Sequence, residues 1–454
     1  MDAATADRYQ IAARMERLPL SLWHNKMRLI VGSANFSDAF DALTIAYVLP
    51  VLVPLWHIPP AMIGAMISIG YLGQVVGGLL SGWLADKYGR VPVMVGNLVL
   101  FSVMSFACVL AQDYWTLFAM RFVQGIGLGG EVPIANTYVS EFAKSKGRGR
   151  FVLIQQMMFP VGLTTAGLVG SFVIPSFGWQ SAFILGGVPV LLALPMIRVL
   201  PESPRWLASR GRYVEADEAL SRIEDIATRD GKPVPALPAD LPNVVEARPR
   251  IIELFRGIYL RRTITVWLMW IGAYFVSYGI TAWMPSLFRT VYQLPVQQSL
   301  TYGFINSGIG FAGALSALYL IEAIGRRRMF MLSLGGCAAA LLSFAFLPQL
   351  SAAGTLTVAT IGFFFLSSTL LSLATYTAEI YPTHLRALGG GVASAWQRGA
   401  SVVGTTVVGW VLPFYGINAV FVMFGLFALM GALVTAFFAI ETRGQVLERV
   451  SPVL

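Results

Sequence analysis

The sequence predicts an all-α membrane protein with about twelve spanning helices in two pseudo-symmetric bundles of six. Three observations lead there: composition, long apolar runs and an internal repeat. Of the 454 residues, 56% are hydrophobic and only 12% are charged, about half the charged share of a soluble domain. Apolar runs of about 20 residues, the length that crosses a bilayer, recur along the chain. They fall at about 28–56, 61–84, 91–111, 115–139, 151–174, 179–200, 264–288, 299–323, 329–348, 354–379, 388–412 and 417–440. The runs are too long and continuous for barrel strands, which alternate every second residue over about ten residues.

The formal charge of +9 follows topology. Lys87 and Arg90, then Lys144, Lys146, Arg148 and Arg150, then Arg326, Arg327 and Arg328, then Arg386 fall on every second loop. The alternate loops "WHIPP", "AQDY", "PSFGWQ", "PQLSAAG" and "PFYGIN" carry no Lys or Arg, and only Arg289 lies near one. The positive-inside rule then places both termini in the cytoplasm and removes the need for a nucleic-acid partner. No cleavable leader is expected, because the polar lead precedes a run too long for an h-region. Cys108 and Cys337 lie inside apolar runs, so neither a disulfide nor a metal site is expected.

The runs divide into a lead (1–27), a first bundle (28–200), a linker (201–262), a second bundle (263–440) and a tail (441–454). In the linker, "YVEADEALSRIEDIA" reads as an amphipathic surface helix and "RDGKPVPALPADLPNVVEARPR" as a Pro-rich connection. The bundles repeat one another. "GWLADKYGRVPVM" aligns with "LYLIEAIGRRRMF", pairing Asp86 with Glu322, Gly89 with Gly325 and Arg90 with Arg326, each offset by 236 residues. "SEFAKSKGRGR" aligns with "AEIYPTHLRALG", pairing Glu141 with Glu379 and Arg148 with Arg386 at an offset of 238. Glu202 of "LPESPRW" and Glu441 of "AIETRG" follow at 239. Three ordered matches at a near-constant offset describe a duplicated six-span unit, a transporter architecture with its site between the halves at mid-membrane. The acid–Gly–Arg turns are expected to form ion pairs that close the cytoplasmic side and break when it opens.

As a set, "GWLADKYGR", "RFVQGIGLGGE", "PESPRWL", "AEIYPTHLR" and "ETRG" resemble the major facilitator superfamily. "PESPR" and "ETRG" look like its sugar-porter branch and the related organic-ion, synaptic-vesicle-2-like and metabolite–proton transporters. "ERLPLSLWH" and "FSDAFDA" look like the bacterial nicotinate-transporter (NiaP-like) group. The Asp-x-x-Asp pair also resembles the D-G-F-D of aromatic acid–proton symporters, with Ala39 in place of the glycine. Span 5, "QQMMFPVGLTTAGLVG", lacks the Gly-Pro-rich pattern of proton-driven drug exporters, which favours uptake. The resemblance implies a proton-coupled symporter of the bacterial inner membrane that acts as a monomer by alternating access. Its partners are a small organic anion and the lipid bilayer, with no cofactor besides the coupling proton.

The intramembrane charges point the same way. Acids at bilayer depth cost about 2.5–3.5 kcal/mol each on insertion scales, so they are functional by default. Asp38 and Asp41 are three residues apart on one helical face, and two such carboxylates do not both ionise cheaply, which suits a proton carrier. Glu131 is either a further protonatable group or a packing residue bonded to Arg198 or Arg205. Arg121 is either structural or couples protonation to the site. Arg398 stays charged and offers a planar fork that matches a carboxylate. Its expected partner is a substrate carboxylate or a protein acid such as Asp41, the two competing. Trp396, Gln397, Tyr274, Tyr278, Tyr376, Asn306 and Gln155 complete the expected substrate site, where an Arg beside aromatic rings suits a flat aromatic carboxylate.

Two other classes are weighed. An enzyme is not expected, since there is no P-loop, nucleophile elbow or metal-ligand cluster. A transporter-fold receptor or sensor would bind the same ligand without moving it. Among transporters, a sugar or other metabolite–proton symporter is the alternative, although two aspartates and an arginine are unusual around a neutral ligand.

Overall fold

The computed structural model describes residues 10–11, 13–143, 148–236, 250–347 and 349–443. Lys144 and Lys146, and the side chains of Arg148, Arg150 and Glu322, lie outside the described part. The described residues contain helices and no strand. Nine of the described helices are long and apolar enough to cross a membrane.

The first half opens with α1 (Leu22–Trp56), α2 (Pro60–Tyr88), α3 (Arg90–Cys108) and α4 (Tyr114–Phe142). Asp113 starts α4 by accepting from the N–H groups of Trp115 (2.9 Å) and Thr116 (3.0 Å), which satisfies donors that a helix start leaves open. The fifth span is broken at Met157 into α5 (Arg148–Gln156) and α6 (Met158–Phe172). The sixth runs as α7 (Gln180–Gly187), a 3-10 stretch Val188–Leu192 and α8 (Ala193–Val199). After the short α9 (Pro204–Ser209), α10 (Tyr213–Arg229) is the expected amphipathic helix. It buries Ala216, Leu220, Ile223 and Ala227 at helical spacing. The N-terminal lead lies along it: Arg14 binds Glu224 (2.7 Å) and Asp217, and Arg17 binds Glu224 (2.9 Å). Burial pushes the Glu224 carboxyl up, but the two guanidiniums outweigh it and hold it below the usual range.

The second half repeats the plan with α11 (Gly257–Thr290), α12 (Val296–Ala323), α13 (Arg326–Leu342) and α14 (Ala352–Ile380). Its last two spans form α15 (Thr383–Phe438), interrupted at Gly416 with φ +75°. Twelve passes result, matching the expected spans to within a few residues except at the N-terminal ends of α1, which begins at Leu22, and α11, which begins at Gly257.

Among the described residues, the halves meet at mid-depth and towards one side. A single apolar core joins Tyr47, Ile63 and Phe183 of the first half to Trp283, Phe288 and Val408 of the second. A separate core, with Met27, Leu98 and Tyr138, fills the basic-loop side of the first half together with the lead and α10. The described hydrogen bonds between halves lie at mid-depth or towards the side away from the basic loops. They include Ser68 with Thr405 (2.8 Å) and Thr406 (2.6 Å), Gln297 with the carbonyl of Ser171 (2.7 Å), and Tyr47 with Ser307 (3.2 Å). Close packing there needs glycine: a Cβ on Gly64 would meet the Thr405 carbonyl at 3.0 Å. In contrast, Gly82, Gly390, Gly391 and Gly399 have no atom near where a Cβ would stand. The described hydrogen bonds between the halves thus lie away from the basic loops.

The acid–Gly–Arg turns make ion pairs on the basic side. In the first half, Arg90 donates to Asp86 (2.8 Å) and to the carbonyl of Ala85 (2.9 Å) and stands 3.5 Å from Glu141. In the second, Arg326 grips Glu379 (3.1 and 3.3 Å) and the carbonyl of Ile321 (3.3 Å). Arg386 donates to the carbonyl of Tyr381 (3.1 Å). These described bonds stay within a half. They brace each half as a rigid unit. Behind them, Glu202 accepts from the N–H groups of Arg90 (2.9 Å) and Val91 (3.2 Å), and Glu441 from those of Arg326 (3.0 Å) and Arg327 (3.1 Å). Each carboxylate thus caps a helix N-terminus, passing where Gly89 (φ +110°) and Gly325 (φ +89°) have no side chain.

Candidate functional site

The buried polar side chains at mid-membrane fall into two sets, told apart by their partners. The first is an ion-pair network in the first half. Asp41, fully buried on α1, pairs with Arg121 of α4 (3.2 Å). It also accepts from Gln124 (2.8 Å) and from Ser105 of α3 (3.2 Å), and Arg121 donates to Gln124 (2.6 Å). Gly186 of α7 admits the carboxylate, since a Cβ there would stand 2.7 Å from Asp41 Oδ1. An intramembrane charge pair with its lone pairs satisfied is the arrangement that a low-dielectric interior tolerates. Arg121 is thus the partner of Asp41, and Asp41 is not the acid that Arg398 meets.

The second group is open. One carboxylate oxygen of Asp38, both oxygens of Glu131, and both polar atoms of Gln155 and of Asn306 are buried without a hydrogen-bond partner. Glu131 accordingly makes no bond to Arg198 or Arg205. Asp38 lies close enough to act electrostatically on Arg398, Asp41 and Glu131. Buried polar groups left open in this way are costly unless water or a ligand serves them. Although Asp38 and Asp41 share a helix face, the structure gives them different surroundings: Asp41 sits in the ion-pair network and Asp38 lies near Arg398 and Glu131.

Arg398 reaches across from α15. Its Nη1 donates to the carbonyl of Gln74 on α2 (2.9 Å), and its Nη2 donates to the carbonyl of Gly129 on α4. Next to it, Gln397 donates to Tyr278 (3.4 Å). An aromatic ladder climbs α11: Trp270 stacks on Tyr274 (5.1 Å), Tyr274 on Tyr278 (6.0 Å), and Tyr278 meets Tyr71 of α2 edge-on (4.9 Å) across the interface.

Two expected members stand elsewhere. Trp396 is 41% exposed and packs on Trp267 (5.4 Å). Residues two apart on a helix point about 200° apart, so Trp396 turns away from the face of Arg398. The Tyr376 hydroxyl donates to the carbonyl of Ile440 (3.1 Å) and its ring packs on Phe330 (5.3 Å), which ties it to the end of α15. Sequence reasoning did not single out Tyr71, Tyr47, Gln124 or Ser105. Their only signal was a polar or aromatic residue in an apolar run.

This geometry defines a secondary transporter: two six-helix halves with a charged, aromatic-lined cleft between them. The chain belongs to the sugar (and other) transporter family, which matches residues 44–454. It is similar to the niacin transporter NiaP of Acinetobacter baylyi, 36% identical over 97% of this chain and 99% of that protein. The 4-hydroxybenzoate transporter PcaK of Pseudomonas aeruginosa is 31% identical over 70% of each. Among solved structures, a partially occluded inward open form of the xylose transporter XylE from E. coli shares the fold, with TM-score 0.71 and 18% identity over 92% of this chain and 100% of that one. The protein is a membrane transporter of the major facilitator fold and not an enzyme.

Proposed function

We propose that this protein imports a small aromatic monocarboxylate, nicotinate first, together with protons. It works as a monomer in the bacterial inner membrane with both termini in the cytoplasm. Its parts are the lead (1–27), halves 28–200 and 263–440, the linker (201–262) and the tail (441–454). The observation that carries the reading is Arg398, a permanent cation in the cleft whose described hydrogen bonds go to backbone carbonyls rather than to a protein carboxylate. A carboxylate is the better acceptor for its fork, and the rings of Tyr278, Tyr274 and Tyr71 stand nearby for a flat ligand. Gln397, Asn306 and Gln155 offer polar contacts. The names of two relatives, for niacin and 4-hydroxybenzoate, support this ligand class. Asp38 and Asp41 carry the coupling proton, with Glu131 a further acceptor and Arg121 linking protonation to the pair.

The test is radiolabelled nicotinate uptake in proteoliposomes, with and without an inward proton gradient. Uptake should rise as the outside is acidified, because the anion enters with protons. Nicotinamide, which lacks the charge, should compete about ten- to a hundredfold less well, the worth of a charge-assisted bond of about 1.5–3 kcal/mol. Arg398→Lys keeps the charge and loses the fork, and should weaken binding by a similar factor. Equal competition by the amide, or full-strength uptake of glucose instead, would overturn the assignment in favour of a sugar porter. Binding without gradient-driven accumulation would favour the sensor.

A further inference from the structure

We infer that Gly78 and Pro133 form a parking site for Arg398, built from two backbone carbonyls, that holds the guanidinium when no anion is bound. This rests on the reading of Arg398 as the anion-binding residue.

A carbonyl inside a helix normally accepts from the N–H four residues on. Gly129 lies inside α4, and the residue four on is Pro133, which has no N–H to give. Its ring also crowds that carbonyl and tilts it off the helix axis. The Gly129 carbonyl is therefore left open at bilayer depth, where an unsatisfied backbone group is costly, and Nη2 of Arg398 supplies the missing donor. On α2 the device differs. The residue four after Gln74 is Gly78, and a Cβ there would stand 2.1 Å from Nη1 of Arg398 and 3.3 Å from the Gly129 carbonyl. The absent side chain exposes the Gln74 carbonyl and leaves room for the fork.

The two carbonyls lie together, since a Cβ on Gly129 would meet the Gln74 carbonyl at 2.2 Å. A planar fork satisfies both at once, which a lysine ammonium does not do with the same geometry. Two helices of the first half are thereby tied to α15 of the second. A ligand carboxylate competes for the same N–H groups, so binding releases the tie. Gly78 and Pro133 are positioning residues: they touch Arg398 or the group it holds, not the substrate.

Two variants weaken the parking site by opposite routes. Gly78→Ala fills the space of the fork. Pro133→Ala returns an N–H to the Gly129 carbonyl without adding bulk in the cleft. Gly82→Ala, on the same helix with open space around it, controls for the glycine change. Spin labels on Lys87→Cys and Arg328→Cys, both exposed, report the distance between halves by pulsed electron resonance, and nicotinate binding is measured on the same preparations.

Without nicotinate, both parking variants should broaden the distance distribution. With it, they should bind about tenfold tighter, since one charge-assisted bond to be broken is gone. Gly82→Ala should match the parent. In an Arg398→Gln background both effects should vanish. A Pro133→Ala protein that folds and matches the parent in distance and affinity would overturn the proposal, as would effects that persist without Arg398. If Gly78→Ala fails to fold, Pro133→Ala alone decides. If the distance shift depends on Arg398 but no variant binds nicotinate, the parking site stands and the substrate assignment fails.

Discussion

The two halves share a scaffold but divide the chemistry. On the basic side they are alike: an arginine after a glycine turn pairs with the glutamate of the fourth span of its own half, at 3.5 Å in the first and 3.1 Å in the second, and a carboxylate from the end of the sixth span caps the third. At mid-membrane they diverge. The first half holds Asp38, Asp41, Glu131 and Arg121, whereas the second holds Arg398 and the rings of Trp270, Tyr274 and Tyr278. Duplication kept what makes each half rigid and let the inner faces specialise. A site assembled across the cleft is completed or separated by movement of whole halves, which is what alternating access requires.

The largest expected effect tests that division within the first half. Asp41→Asn removes the charge from a buried pair and strands Arg121, which should cost about 3–5 kcal/mol in stability as well as abolishing uphill uptake. Asp38→Asn removes a charge that faces the open group, where one oxygen already lacks a partner. It should abolish uphill uptake with little loss of stability, while ligand exchange persists in part. Thermal unfolding beside gradient-driven uptake separates the two. Equal destabilisation by both would mean that Asp38 is as structural as Asp41. If both variants still concentrate substrate, the first half does not carry the proton.

A second comparison sets Gly89 against Gly325. Both have positive φ, and a Cβ would meet the capping carboxylate at 2.2 Å in the first half and 2.6 Å in the second. Alanine at either site should cost about 1–3 kcal/mol in backbone strain and push the carboxylate off the helix start. Lowered melting temperatures of similar size in Gly89→Ala and Gly325→Ala would confirm the scaffold as truly duplicated. A loss confined to one half would break the parallel.

The spans and repeat were legible because hydropathy and turn chemistry are local. The acid–Gly–Arg turns were legible as charged pairs, but not that Arg326 meets Glu379 of another span, because a linear sequence does not say which spans lie side by side. Trp396 was misplaced because nearness in sequence stood in for nearness on a helix face. Arg398 was visible as an isolated intramembrane cation, but its acceptors were not, since carbonyls carry no letter of their own. The spacing of Gly129 and Pro133, four apart, was nonetheless a readable sign that one carbonyl would lack its helical donor. Tyr71 and Tyr278 come from different halves, and only the fold brings them together.

The smallest expected effect concerns the two capping carboxylates, which the sequence treats as equivalents. Their surroundings differ. Burial pushes the Glu202 carboxyl above the usual range, outweighing the N–H groups of Ser203, Arg90 and Val91. Burial also pushes Glu441 up, but the N–H groups of Arg443, Arg326, Arg327 and Thr442 outweigh it and hold the carboxyl below the usual range. The signs are therefore opposite. The depressed Glu441 lends stability at pH values above its unfolded-state range, and that contribution is lost as the pH falls through its folded value. The raised Glu202 favours its protonated form in the folded chain, so acidification does not remove a stabilising charge there. Glu441→Gln should accordingly lower stability by about 1 kcal/mol at neutral pH, the usual worth of a helix cap, with the difference from the parent shrinking toward pH 4. Glu202→Gln should cost less at neutral pH and show no such shrinkage. Thermal unfolding of both variants from pH 4 to 8 checks this. Parallel curves would mean that the two caps are energetically equivalent despite their different burial.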